Sequence, residues 1–451
     1  MVPLWFRERP LQRGEIQKRH PETLRATPES PPTRSRVIMP SFPSYDQALT
    51  TILSAVAAVP AESVPVRQSL GRILAADLPV PRPMPDLPRS AVDGFAFRGA
   101  GQGPRRVIAE VRAGFLPEKR LQEGEAVAIM TGAVVPEGAD RVAMVEHCRQ
   151  EGQTVYPPAG TRRNDFINPA GSEAPAGAVF AHAGTRIGAG TYPALFCAGI
   201  ARLPVRRPVR LGLLVSGDEV REVEDGPAPG MVFNTNRYVL EAVCGLLGVE
   251  IARAAAVDDD EAATRRHLAA MQADCDIVVT SGGVSKGRYD HLGAILRGQG
   301  YRLLIPGTCV KPGRPLHVAR ATGGGGLVMA MPGYPAALLT NTFLYLVPAL
   351  KKMAGWRDAA TRWLPVTLAD PQRGRPGKMY LNRVTLRQEE GRWQAHDPGS
   401  QMSSHFLDFA RCDGLLRMPT DAPDSGADGD GAFTLPVGSR ALALHFGLDL
   451  S

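Results

Sequence analysis

At 451 residues, with 44% hydrophobic and 22% charged residues, the chain has a globular composition but is too long for one core, so roughly three domains are expected. Its six cysteines show neither zinc nor dithiol spacing, and no apolar run nears the ~20 residues that span a bilayer, which argues for a cytoplasmic protein with reduced thiols and against a membrane partner. The net charge of +7 points weakly to nucleic acid, because residues 1–40 hold a surplus of +4 and leave only +3 for the rest.

That basic opening is expected to be a disordered or non-native extension over residues 1–42, since Met39-Pro-Ser-Phe-Pro-Ser-Tyr-Asp46 reads as a second protein start. Ser44 to Val56 carries an N-cap and apolar residues at helical spacing. Ser69–Ala76 reads as a second short helix and Thr191–Gly199 as a third, so residues 43–74 and 177–207 are grouped as a helical linker domain. Between them, Pro79–Pro88 must be a stiff connector, because its prolines fix φ and exclude helix. Short alternating strands then fill a β-rich domain over residues 75–176, including Glu125 to Met130 and Arg141 to Val145. Asp93-Gly94 lies at a turn there, where an aspartate commonly satisfies its own backbone.

From residue 208 to 358 strands and helices alternate, which predicts a doubly wound parallel sheet whose ligands bind beyond the strands' carboxyl ends. Its focus is Val278-Val-Thr-Ser-Gly-Gly-Val-Ser285, a buried strand running into a glycine turn and, past Asp290, a helix. Bare N–H groups and a helix dipole make such a turn an anion cradle, although a tight turn that binds nothing has the same pattern. Carboxylates stand at three successive strand–helix junctions, as Asp218 with Glu219, Asp258 with Asp259, and Asp290. Lys311 and Arg314 follow in the next loop. Converging carboxylates suit Mg²⁺ beside phosphate, and adjacent cations suit an oxyanion. Helix caps and ion pairs on a sheet edge are the alternative reading. Residues 359–451 return to short strands with frequent Gly and Pro, as in a small β-barrel.

Seven stretches occur in order: Ser90-Ala-Val-Asp-Gly-Phe-Ala-Phe97, Met130-Thr-Gly-Ala133 with Pro136-Glu-Gly-Ala-Asp140, Ser216-Gly-Asp-Glu219, Thr235-Asn-Arg237, Ser281-Gly-Gly-Val-Ser285, Lys311-Pro-Gly-Arg-Pro315 and Pro332-Gly-Tyr-Pro335. On these, the chain from Ser44 to its end resembles the molybdopterin molybdenumtransferases, the MoeA and gephyrin E-domain family. The resemblance implies a cytosolic homodimer that inserts molybdate into adenylylated molybdopterin, with Mg²⁺ assisting and AMP released. It implies a central doubly wound MogA-like α/β domain, a β-rich domain, a helical linker and a C-terminal barrel, with the active site between subunits. A MogA-type adenylyltransferase and molybdoenzyme maturation proteins are the implied partners.

Carried over position by position, the resemblance makes Asp93, Thr131, Glu219, Asp259, Asp290 and Lys311 catalytic. Pterin phosphate and molybdate would meet Ser281, Gly282, Gly283, Ser285, Lys311, Arg314, Pro332, Pro335, Arg383 and Ser400. Asp218, Glu219 and Asp290 would hold the metal. The chain departs from the family at Gly307 and Asn168, where a lysine and an arginine are usual, and at Tyr334 and Ala337, where asparagine and serine are usual. Lost cations remove charge-assisted hydrogen bonds at an anion site. They leave open a second reading, a pterin-binding carrier without transfer activity, and a third is nucleic-acid binding through the basic arm.

Overall fold

Leu211, Leu213 and Val215 pack into one core with Ile277, Val279, Leu327, Met329 and Met331, while Leu214, Val278, Val328 and Ala330 face another. This period of two follows from strand geometry, and apolar residues on both faces require cover on both sides. Helix Thr235–Leu247 and the helical run from Pro335 to Met353 cover the first face. Helices Glu261–Asp274 and His291–Arg297 cover the second. The expected doubly wound α/β domain is therefore present in this computed structural model, which describes residues 42–283, 291–298, 300–402, 404–421 and 432–450.

The sheet has six strands in the order Glu250–Val257, Arg210–Ser216, Ile277–Ser281, Leu327–Met331, His317–Ala321, Tyr301–Ile305. The first four are parallel, as expected, while His317–Ala321 is antiparallel to both its neighbours, so Tyr301–Ile305 again shares the direction of the first four. The cause of that departure is the short Gly-rich link from Thr322 to Gly326, which allows a hairpin but no crossover helix. The run Pro335–Asn341, Thr342–Leu346, Val347–Met353 is one helix interrupted by a π turn. Pro348 has no N–H to continue the ladder, so the register loosens just before it.

Helix Tyr45–Ser54 starts at a reciprocal cap, in which Ser44 Oγ accepts the Gln47 N–H and the Gln47 side chain accepts the Ser44 N–H. Its Tyr45, Ala48 and Ile52 enter the core of the α/β domain. The other helix of the linker segments, Thr191–Cys197, packs through Leu195 with Val64, Leu74 and Leu203 in a separate core. The helix expected over Ser69–Ala76 is not formed. Gly71 turns left-handed at φ 79°, and the backbone at Ile73 and Leu74 bridges to Arg186 and Val205 instead.

The β-rich region is a six-stranded sheet built on Gly94–Phe97, Arg105–Val111, Glu125–Ile129 and Arg141–Met144, with two short strands completing it. This excursion begins and ends beside itself, since the Val80 N–H donates to Ala178 O and the Gly177 N–H to Val80 O, each at 2.8 Å. At the C-terminus, strands Trp363–Leu368, Met379–Glu389, Arg392–His396, Gly414–Arg417 and Arg440–His445 close into a barrel. Val366, Val384, Leu416 and Phe433 fill it. Strand Val310–Lys311 pairs with Met379–Tyr380, which ties the Lys311 loop to the barrel. Among the described residues no helix is long and apolar enough to cross a membrane.

Candidate active site

Parallel register brings three strand ends level, because Val215 pairs with Ser281 and Ser281 with Met331. The segments Ser216–Glu219, Ser281–Gly283 and Pro332–Pro335 thus leave the sheet along one edge. They approach closely. A Cβ on Gly282, whose φ is 92°, would lie 2.3 Å from Ser216 O, so only glycine fits. Beyond this edge opens a cavity of about 780 Å³. Of the expected residues it is lined by Glu219, Asp259, Ser281, Gly282, Gly283, Pro332 and Pro335.

Ser216, Asn236 and Tyr334, which stand in the quoted motifs without a site role, also line that wall, together with Phe233 and Asn234. Asn236 is the pin of the site. Its Nδ2 donates to Ser281 Oγ at 2.6 Å and to Gly333 O at 2.7 Å, joining a helix start to two strand ends. Only 7% exposed, it leaves Oδ1 without a partner among the described residues. Thr280 Oγ1 is likewise buried and unpaired. Asn234 caps the same helix by accepting the Arg237 N–H and donates to Glu222 Oε1 at 2.8 Å. The N-terminus of a 13-residue helix therefore faces the cavity, where its unpaired N–H groups and dipole favour an anion.

The carboxylates divide their work. Asp218 Oδ1 accepts the Asp259 N–H at 2.9 Å, so it braces the loop that carries Asp259. Asp260 caps the following helix through the Ala263 N–H. Among the described carboxylates Glu219 and Asp259 line the cavity. Among the described residues no three of His, Cys, Asp or Glu come together as a metal-holding group. Asp290 and Ser285 lie outside the described residues.

Next to this wall, Pro315 continues into the Lys311–Pro315 loop. Lys311 Nζ lies 5.2 Å from the centroid of Tyr380, and the Arg314 guanidinium 4.9 Å from that of Phe42. Among the described residues neither cation meets a carboxylate. Gly313 takes φ 118°, and a Cβ there would fall 2.4 Å from Oδ1 of the fully buried Asn341.

Four expected members, Asp93, Thr131, Arg383 and Ser400, stand elsewhere. Asp93 and Thr131 lie on the exposed rim of the β-rich sheet, outside the cavity. There Asp93 Oδ1 accepts both the Thr131 N–H at 2.6 Å and its Oγ1–H at 2.8 Å, which holds the Asp93 carboxyl below its usual range. The adjoining Gly94 is required by contact, since a Cβ would sit 1.8 Å from Ala143 O. Arg383 is 4% exposed and donates to the carbonyls of His405, Ser400 and Met402, so it and Ser400 share a hydrogen bond inside the barrel's loop. Asn168 pairs in a strand with Arg89. Burial pushes the Cys148 and Cys412 thiols up to about 11 and Cys244 to about 12, so these sulfurs stay protonated and are poor nucleophiles.

Residues 43–199 match the family described as MoeA N-terminal region (domain I and II), and residues 212–352 match a probable molybdopterin binding domain. A molybdopterin molybdenumtransferase of Nostoc sp. is 30% identical over 364 residues, which is 77% of this chain and 83% of that protein. One from Staphylococcus epidermidis is 29% identical over 335 residues, 72% of this chain and 80% of that protein. A crystal structure of the molybdopterin biosynthesis moeA protein from Pyrococcus horikoshii OT3 shares 25% identity with a TM-score of 0.74, over 90% of this chain and 100% of that one.

Proposed function

The chain belongs to the MoeA family of molybdopterin molybdenumtransferases and works in molybdenum cofactor biosynthesis; from this premise we propose that it inserts molybdate into adenylylated molybdopterin and releases AMP. The observation that carries the proposal is the pairing of the cavity at the sheet edge with two cations of the adjoining loop that meet no carboxylate among the described residues. Ser281, Gly282, Gly283 and the start of helix Thr235–Leu247 receive the pterin's phosphate. The unpaired Asn236 Oδ1 in the cavity wall awaits a donor, which a pterin's N–H groups supply. Lys311 and Arg314 receive molybdate. Glu219 and Asp259 orient water at the pyrophosphate, whose cleavage leaves the pterin phosphate and AMP. The dithiolene sulfurs then displace two molybdate oxygens, which take up protons and leave as water.

Mg²⁺ takes one or two carboxylates and completes its shell with water and phosphate oxygens, so Glu219 and Asp259 fit it as a donor set. When bound, it would supply Lewis-acid stabilisation to the pyrophosphate oxygens. Asp93 and Thr131, exposed and fixed to one another, complete the site from a second copy of the chain in this reading. An adenylyltransferase must supply the substrate.

The test is AMP release and cofactor formation by the purified chain with adenylylated molybdopterin, Mg²⁺ and molybdate. Asp259→Asn and Asp93→Asn are each expected to lose turnover, and mixing the two to restore part of it, because a mixed dimer rebuilds one intact site. Pterin bound with no AMP released would favour the carrier reading instead. Mixed chains that remain inactive would remove the shared site.

A further inference from the structure

The segment just ahead of the first helix is built into the cationic loop. Gly307 takes φ 146°, and a Cβ there would lie 2.6 Å from the Phe42 ring, so the ring holds the space of any side chain at position 307. The same ring lies beneath the Arg314 guanidinium at 4.9 Å. Backbone ties fix it in place, since Cys309 Sγ donates to Phe42 O and the Cys309 N–H to Pro43 O, each at 3.1 Å. The loop closes on itself through the Thr308 N–H to Arg314 O at 3.0 Å.

An arginine that is to receive an oxyanion needs a fixed guanidinium whose N–H groups are still free. A carboxylate or carbonyl would fix it by consuming those donors. An aromatic face fixes it without consuming any. We infer that Phe42 is a positioning residue of the oxyanion loop: its ring holds Arg314 with the N–H groups available to a tetrahedral oxyanion, and it excludes a side chain at position 307. Tyr380 holds Lys311 in the same manner, through the pairing of Val310–Lys311 with Met379–Tyr380.

The inference rests on molybdate being the loop's ligand, so its binding is measured directly, by equilibrium dialysis of molybdate against the full chain, alongside turnover. Phe42→Leu keeps the bulk and removes the ring. It is expected to weaken molybdate binding about fivefold and to raise KM for molybdate while kcat holds. Phe42→Tyr should restore the wild-type value, and Phe42→Leu should add nothing to Arg314→Ala, because it acts through that side chain. Wild-type affinity in Phe42→Leu, an undiminished effect in the Arg314→Ala background, or no molybdate bound by the wild type would each overturn the inference. Molybdate bound with no AMP released would sink the transfer reaction and leave the positioning role intact.

Discussion

Arginine is used in opposite ways in two regions of this molecule. In the Lys311–Pro315 loop, Arg314 lies over a ring and gives no hydrogen bond within the described protein. In the barrel, Arg383 gives its N–H groups to three carbonyls, while its own backbone exchanges two hydrogen bonds with the Gln401 side chain. Arg314 stands in a loop and Arg383 in strand Met379–Glu389, yet both looked like oxyanion ligands. What separates them is the supply of acceptors. Arg383 also lies 5.0 Å from the centroid of Phe409, but its terminal nitrogens are engaged by carbonyls and it acts as a staple, whereas Arg314, held by a ring alone, keeps its N–H groups for a ligand.

The contrast can be broken most directly by truncating each side chain. Arg314→Ala should lower kcat/KM by a hundredfold or more, on the order of one lost anion-stabilising donor, with the melting temperature nearly unchanged. Arg383→Ala should do the reverse. It is expected to cost about 3 kcal/mol of stability by leaving buried carbonyls unpaired, while the folded fraction keeps its turnover. Equal losses of activity with equal stability would erase the distinction.

Asn236→Ala tests a residue between these extremes, since it both joins strand ends and offers a free acceptor to the cavity. A stability loss of about 2 kcal/mol is expected, together with weaker pterin binding measured by calorimetry. The smallest effect concerns a third arginine. Arg207 clamps Asp276 with two hydrogen bonds of 2.6 and 2.7 Å, and the Arg210 N–H adds a third. Burial works to raise the Asp276 carboxyl, yet these partners together hold it below 3.8. A lowered folded value means the contribution is complete above pH 3.8 and fades as pH falls through that lower value. Asp276→Asn should therefore cost about 1.5 kcal/mol at pH 7, and the gap from wild type should narrow in denaturant melts below pH 3.8.

Most of the fold was legible because its signals are local. The Ser44–Gln47 cap, the Asn234 cap and the left-handed Gly248 stop each sit within a few residues of the helix they bound. Strand alternation at Leu211–Val215 and Ile277–Val279 announced a sheet covered on both faces. The reversed strand His317–Ala321 escaped notice because direction is set by the length of a link, here the glycines before Leu327. The site was legible where glycine and carboxylate motifs end strands. It was illegible where contacts join distant positions. Phe42 meets Cys309 across 267 residues, and Asn236 reaches Gly333 across 97. A polar residue in a helix's first turn reads as part of a cap, and that left Asn236, quoted within Thr235-Asn-Arg237, without a site role, although a cap was already present two residues earlier.

The β-rich excursion leaves and rejoins its host at Val80 and Ala178, which are hydrogen-bonded neighbours. Host ends that already meet keep their own contacts whatever is inserted between them, and closing the host around an insert costs only about 0.6 kcal/mol more for each doubling of its length. Residues 81–176 thus leave and re-enter the host at one place, so a chain without them would need only a turn to rejoin. Heredity or an engineer can exchange the module that carries Asp93 without rewriting the cavity that carries Asp259.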